Sequence, residues 1–187
     1  MRREAMFHRS ERLFLRPAWI EDAPAVAAGI GEEAIVRNLA RAPWPYSLQN
    51  AVEFLSMPQT DALPRFLLTL PGDDGSEVVG MCGLHFDEDD EPELGYWIAR
   101  KWWGQGYATE AARAVIGVAK AHGIARIRAG HFVDNPASGK VLRNAGFVPT
   151  GEIARRFSVA RGCEVPSIEF ELDASEGRPP CELKRAA

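Results

Sequence analysis

The run ELGYWIARKWWGQGYATEAARAVIGVAKAHG, residues 93 to 123, constrains the fold more than any other part of the chain. Its opening is apolar and strand-like. Its second half repeats Ala108, Ala111, Ala112, Val115, Ile116 and Ala119 at helical spacing, and Gly123 supplies the stop. Between the two stand Gly104 and Gly106, one residue apart, so a strand must pass into the longest helix of the chain through a turn almost free of side chains.

The remaining segments extend this pattern. RLFLR at 12 to 16 alternates as a strand does, Pro17 ends it, and WIEDAPAVAAGI has the acidic start and alanine-rich body of a short helix. Two prolines flank Trp44, after which Ser47 is a candidate N-cap for a helix through Ala51, Val52, Phe54 and Leu55. RFLLTL at 65 to 70 and EVVGMCGLHF at 77 to 86 read as an antiparallel pair joined by the turn PGDDGS. Beyond the long helix, residues 124 to 133 read as a strand, NPASGKVLRNAGF as a short helix closed by Gly146, and the rest as two strands around ARGC. The predicted order is β α α β β β α β α β β, seven strands and four helices. Residues 1 to 10 are expected to be flexible, 11 to 173 to form one domain, and the polar, proline-bearing segment 174 to 187 to be a loose tail.

Composition excludes several classes. A chain of 187 residues with 46% hydrophobic side chains has the size and core content of one soluble domain. No apolar run approaches the roughly 20 residues that cross a bilayer, and MRREAMFHRSER lacks the pattern of a signal peptide, so no membrane and a cytoplasmic location are expected. A formal net charge of -4 argues against a dedicated nucleic-acid binder. Cys82, Cys163 and Cys181 form no CxxC pair, and His8, His85, His122 and His131 have no ligand spacing, so reduced thiols and no metal are expected.

A turn that leaves a strand and enters a helix presents unpaired backbone N–H groups at the positive end of the helix dipole, a seat for phosphate oxygens. The amides from Gly104 to Thr109 could wrap a pyrophosphate, with the Thr109 hydroxyl as a further donor; the alternative is a merely tight turn. A nucleotide P-loop needs GxxxxGK(S/T), and NPASGKV has Asp134 where the first glycine should stand. A dinucleotide fingerprint needs a third Gly or Ala where GQGYAT has Thr109, and Arg126 and Arg128 stand where an acid is required, which leaves only an NADP form of that reading.

The residues KWWGQG resemble the acetyl-CoA signature R/Q-x-x-G-x-G/A of the GCN5-related N-acetyltransferase (GNAT) superfamily, with Lys101 in the first position. ERLFLRPAWIEDA, ELGYWIARKWWGQGYATEA and NPASGKVLRNAGF together resemble its ribosomal-protein N-acetyltransferase branch, the RimJ/RimL type, over about residues 11 to 172. The resemblance implies an α+β sandwich: a mixed, mostly antiparallel seven-stranded sheet with helices on both faces. It also implies a cofactor site where the parallel strands at 93 to 98 and 126 to 133 splay apart. It implies acetyl-CoA as co-substrate, with backbone groups of Trp97, Ile98 and Ala99 on the pantetheine arm. Trp103, Gly104, Gln105, Gly106, Tyr107, Ala108 and Thr109 would cradle the pyrophosphate, with Asn135 hydrogen-bonded to the cofactor and Lys140 within reach of its phosphates.

Acetyl transfer to an amine needs a neutral nucleophile, a polarised thioester carbonyl and a proton for the departing thiolate. By resemblance, Glu93 is the candidate base, often through water, and Ser138 the donor near the thioester sulfur; a loop or orienting role for Glu93 and an N-cap role for Ser138 stand beside these. The tyrosine that many members carry farther along the second helix has no counterpart in VLRNAGF. Glu152 and His85 are rival bases, and Trp19, Trp44 and Tyr46 are aromatic candidates for the acceptor pocket, each equally suited to core packing. The acidic run DEDDEPE either attracts a cationic acceptor or is a solvated hairpin. The expected activity is direct acetyl transfer in a ternary complex to a primary amine, a protein N-terminus among the candidates, by a monomer or homodimer. The alternatives are transfer to a small amine such as a polyamine, amino acid or aminoglycoside, or a non-catalytic acyl-CoA-binding domain.

Overall fold

The computed structural model describes residues 6–57, 63–72 and 75–175. Strands β1 (His8–Arg9), β2 (Phe14–Arg16), β3 (Arg65–Gly72), β4 (Gly75–Phe86), β5 (Pro92–Ile98), β6 (Arg126–Phe132), β7 (Val148–Ser158) and β8 (Cys163–Asp173) form one sheet in the order β1-β2-β3-β4-β5-β6-β8-β7. All neighbours are antiparallel except β5 and β6. The helices are α1 (Ala23–Ile30), α2 (Glu33–Val36), α3 (Leu48–Ser56), α4 (Tyr107–Ala121) and α5 (Pro136–Ala145).

Among the described residues, eight strands stand where seven were expected. The addition is β1, a two-residue strand whose alternation is too short to read in sequence, and its pairing with β2 joins residues 8 and 9 to the sheet. The one-turn α2 was likewise invisible to periodicity. Ser47 does cap α3, accepting the Asn50 N–H at 3.2 Å while Asn50 Oδ1 accepts the Ser47 N–H at 2.9 Å. Gly123 and Gly146, each with positive φ, follow α4 and α5. Asp73 and Asp74 of the expected PGDDGS turn, Cys181 and the tail from residue 176 lie outside the described residues.

Two cores sit on opposite faces of the sheet. On one, Ala111, Ala112, Val115 and Ala119 of α4, all fully buried, pack on Leu68, Val79, Leu84 and Ile127. On the other, Val26 and Ile30 of α1, Ala51 and Leu55 of α3 and Val36 of α2 pack on Leu67, Met81 and Trp97. Strand alternation makes this division: Leu67, Met81 and Trp97 are in one register row, while Phe66, Cys82 and Tyr96 are in the next and face the other way. Among the described residues no helix is long and apolar enough to cross a membrane.

Candidate active site

The site follows from one defect in the sheet. β5 and β6 are parallel neighbours that share a single register pair, Glu93 with Arg128, and then diverge. A cavity of about 560 Å3 occupies the gap, a volume suited to a small-molecule site. It is lined from the α1 and α3 face by His85, Glu93, Trp97 and Phe54, and from the α4 and α5 face by Tyr96, His131 and Ser138. The cleft thus passes through the sheet, and side chains of both faces meet in it.

At the far side of the gap, Ala99 leaves β5 and a 3-10 turn at Arg100–Trp102 leads to the glycines. Gly104 and Gly106 have φ of 75° and 84°, left-handed values that favour glycine, and Gly106 is the N-cap of α4. A Cβ on Gly104 would meet nothing within 4 Å, so the space above the turn is open. Among the described residues, the amides from Gly104 to Thr109 have no acceptor, and the first helical bond of α4 runs from Glu110 N–H to Gly106 O. Free amides at the positive end of a 15-residue helix suit phosphate oxygens, so the turn fits the group the sequence implied. Arg12, which sequence reasoning missed, is held beside it. Its guanidinium ion-pairs with Glu110 at 2.7 Å, lies 4.3 Å from the Tyr107 ring centroid and donates to Gln105 O at 3.0 Å.

Strand alternation revises the expected pantetheine contacts. Ala99 donates to Val79 O at 2.8 Å, so by the register its N–H and the backbone of Trp97 are directed to β4. Tyr96 and Ile98 are the residues whose backbone groups face the gap, and Ile98 O accepts the Trp103 indole N–H at 2.6 Å. Asn135 is the N-cap of α5, its Oδ1 accepting the Ser138 N–H at 3.4 Å, so Ser138 is three residues inside the helix and does not cap it. Lys140 is exposed on α5.

Ser138 is brought to the gap by close packing of α5 on β6. A Cβ on Gly139 would stand 2.5 Å from His131 Nε2, and bare Gly139 lets the helix seat there. The Ser138 hydroxyl lies 2.5 Å from the hydroxyl of Tyr96, a hydrogen-bonded pair inside the cleft. Burial pushes the Tyr96 phenol above its ordinary value of 10.0, partly offset by the bond to Ser138, so it remains protonated as a donor. VLRNAGF at the end of α5 carries no tyrosine, and the phenol beside Ser138 comes from β5 instead. Its signal was present in GYWI but was read there only as β-forming.

Glu93 is buried on the other side of the gap. It ion-pairs with Arg156 of β7 and lies 3.3 Å from Nε2 of His85, its register partner on β4. Arg156 gives Nη1 to Glu93 and holds Glu169 of β8 with the other edge of its guanidinium, Nε donating to Oε1 at 2.9 Å and Nη2 to Oε2. Gly130 makes room for the Glu169 carboxylate: a Cβ there would be 3.0 Å from Oε2. Burial alone would raise the Glu93 carboxyl, but His85 and the Arg156 charge outweigh it and hold it below its ordinary value of 4.5. Burial also works against the Arg156 charge, and the two carboxylates more than restore it.

The other candidates separate cleanly. Tyr46 lines the cavity, whereas Trp19 and Trp44 are exposed and outside it. Glu152 is exposed on β7 and takes no part; the residue that this strand sends to the site is Arg156. Asp87 and Asp89 of the acidic run are tied to Arg128 at 3.1 and 2.6 Å. The β7–β8 turn closes the cavity from above, with Arg161 bidentate on Asp134 at 2.8 and 3.0 Å and Val159 N–H on Ala40 O at 2.9 Å.

Several known proteins are similar to this chain in sequence or fold. The chain is 27% identical over 170 residues to the uncharacterized N-acetyltransferase p20 of Bacillus licheniformis, covering 87% of this chain and 93% of that protein. It is 29% identical over 164 residues to the uncharacterized N-acetyltransferase YoaA of Bacillus subtilis strain 168, covering 82% and 88%. Among solved structures, a GNAT-family acetyltransferase from Bacillus anthracis superposes with TM-score 0.77 at 21% identity, covering 91% of this chain and all of that one. RimL, a ribosomal L7/L12 α-N-protein acetyltransferase in complex with coenzyme A, gives 0.73 at 20%, covering 91% and 98%. The spermidine N-acetyltransferase of Vibrio cholerae, with CoA and spermine, gives 0.72 at 18%, covering 88% and 96%. The family model for the acetyltransferase (GNAT) domain matches residues 12–148, and the chain belongs to that family of acetyltransferases.

Proposed function

We propose that the protein transfers the acetyl group of acetyl-CoA directly to a primary amine in a ternary complex, with the amine of a protein N-terminus as the leading acceptor class. One observation carries this reading: the cleft through the splayed strands presents a hydroxyl pair, Tyr96 and Ser138, from one face and a His85–Glu93 pair from the other. An amine entering from the α1 and α3 side attacks the thioester carbonyl. The C–N bond forms, the C–S bond breaks, and the thiolate needs a proton.

Each pair suits one of these tasks. The Ser138 hydroxyl, polarised by Tyr96, is the donor to the leaving sulfur. A carboxylate held below its ordinary value is a weak base, so Glu93 acts best through its neighbour: ionised and fixed by Arg156, it orients the imidazole of His85, which receives the ammonium proton. The cradle from Trp103 to Thr109 holds the pyrophosphate, with Asn135 and Lys140 at the adjoining edge of the cofactor site. RimJ/RimL-like resemblance in three segments supports the protein N-terminus; the comparable similarity to a spermidine enzyme supports a small amine as the second reading.

The test is release of free CoA thiol from acetyl-CoA with N-terminal peptides, polyamines, amino acids and aminoglycosides. Turnover of a peptide amine is expected, with kcat falling in His85→Gln and Ser138→Ala and an altered acidic limb of the pH profile in Glu93→Gln. Acetyl-CoA binding without consumption of any amine would leave a non-catalytic binding domain.

A further inference from the structure

Arg65 is a cation on the cavity wall that no carboxylate among the described residues pairs with. It opens β3 in register with Gly83 of β4, which is in turn in register with Gly95 of β5. The row therefore runs from an arginine across two residues without side chains toward the splay, and it lies two residues, about 7 Å along the strands, from the His85–Glu93 row. Close packing reinforces the bareness: a Cβ on Gly83 would stand 2.6 Å from Arg65 Cα. The guanidinium is half-buried at the cavity wall, stacked 4.7 Å from the Phe54 ring centroid.

Its polar valences are poorly met. Nη2 donates to Met57 O at a long 3.5 Å, Nε is buried without a partner, and among the described residues no carboxylate pairs with it. Burial pulls the guanidinium below its ordinary value of 12.5, the direction expected of a desolvated cation lacking a counter-ion. Arg41, a second cation on the lining, likewise contacts only a carbonyl, Phe86 O at 3.5 Å. Among the described residues, the one other carboxylate on the lining besides Glu93 is Glu53, which is exposed and bonded to Gln49 at 3.0 Å. A buried cation left in this condition is a site for an anion.

Resting on the reading of this cavity as the acceptor site, we infer that Arg65 selects an amine that also carries a carboxylate a few carbons from its nitrogen. The amine occupies the His85–Glu93 row and the carboxylate takes the Arg65 guanidinium. Two acceptors present this chemistry, a free amino acid and a peptide whose first residue is acidic. A polyamine or aminoglycoside would instead leave two cations facing each other.

The experiment measures CoA release with α- and ω-amino acids against their carboxamides, with tetrapeptides beginning Asp or Glu against Asn or Gln, and with spermidine and an aminoglycoside. A carboxylate member is expected to exceed its uncharged partner at least tenfold in kcat/KM, and which pair shows the preference tells the free amino acid from the acidic peptide. In Arg65→Met that ratio should collapse toward one, about a ten- to hundredfold loss; Arg65→Lys should keep part of it and controls for packing on Phe54. Equal rates for carboxylates and carboxamides in the wild-type protein, or a preference for spermidine or the aminoglycoside, would overturn the inference while leaving the enzymatic reading intact. Acetyl-CoA binding with no turnover of any amine would overturn both.

Discussion

Replacing Arg156 by Met should expose how much of the site rests on one cation. Arg156 stands between Glu93 and Glu169, whose side chains are 8% and 11% exposed, and its own side chain is 28% exposed. This is the buried regime, in which removing one partner leaves charges uncompensated and costs about 3–5 kcal/mol. For a domain of this size each kcal/mol lowers Tm by about 2–4 °C, so a fall of about 6–20 °C is expected at pH 7. The pH dependence supplies the sharper test. In the native protein Glu93 is held below 4.5, so its contribution is present above that value and is lost as pH falls through the depressed folded value. In Arg156→Met, burial is no longer countered by the guanidinium, and the folded pKa of Glu93 should rise. The charged carboxylate then destabilises the fold at neutral pH and is relieved by protonation as the pH falls. The stability gap between the two proteins, measured by urea unfolding, should therefore be widest near pH 7 and shrink toward pH 4.5. Adding Glu169→Gln to the variant should recover part of the loss. A neutral-pH cost below about 1 kcal/mol, or a gap that stays constant with pH, would refute the buried-triad argument.

Three further outcomes follow from single contacts. Gly104→Trp places a side chain where the amides of the cradle must be approached, and at φ of 75° the left-handed backbone adds about 1–2 kcal/mol of strain; calorimetry should show acetyl-CoA affinity lost with the far-UV spectrum retained, and unchanged affinity would move the phosphates elsewhere. Tyr96→Phe removes the partner of the Ser138 hydroxyl, so kcat should drop about tenfold or more while KM for acetyl-CoA stays within a factor of about three; an unchanged kcat would make the pair merely structural. Ser47→Ala deletes one half of the capping box on α3 and should cost about 1 kcal/mol in urea unfolding, with no measurable cost arguing that α3 is held by packing alone.

The order of elements was legible because each carried its own local signal. Helical spacing marked α4, Gly146 closed α5, alternation marked β2, and β3 and β4 read as two strands on either side of a turn. The turn into α4 was legible for the same reason, since Gly104, Gly106 and the helix that follows are contiguous in sequence. What escaped was either too short for any period, as with β1 and α2, or distributed among strands whose adjacency only the sheet order sets.

Arg156 shows why. It is 63 residues from Glu93 and belongs to the edge strand β7, which joins β6 only through β8, so nothing in the local run GEIARRFSV separates it from the exposed Arg155 beside it. The same holds for Arg65, whose meaning depends on two glycines, Gly83 and Gly95, that are unremarkable until the register aligns them. Tyr96 is the intermediate case: its residue type was suggestive, but period-2 alternation had to be anchored by the Ala99 to Val79 bond before its side chain could be assigned to the Ser138 face rather than to that of Glu93. On the proposed reading the cofactor is met by a contiguous segment and the acceptor by side chains gathered from several strands, so a chain could keep the first while changing the second without leaving a mark on any motif. If Arg65 reads the acceptor's carboxylate as inferred, acceptor choice is to be sought in pairs such as Arg65 with its glycine row, where a single substitution on β3 is expected to change which amine is accepted.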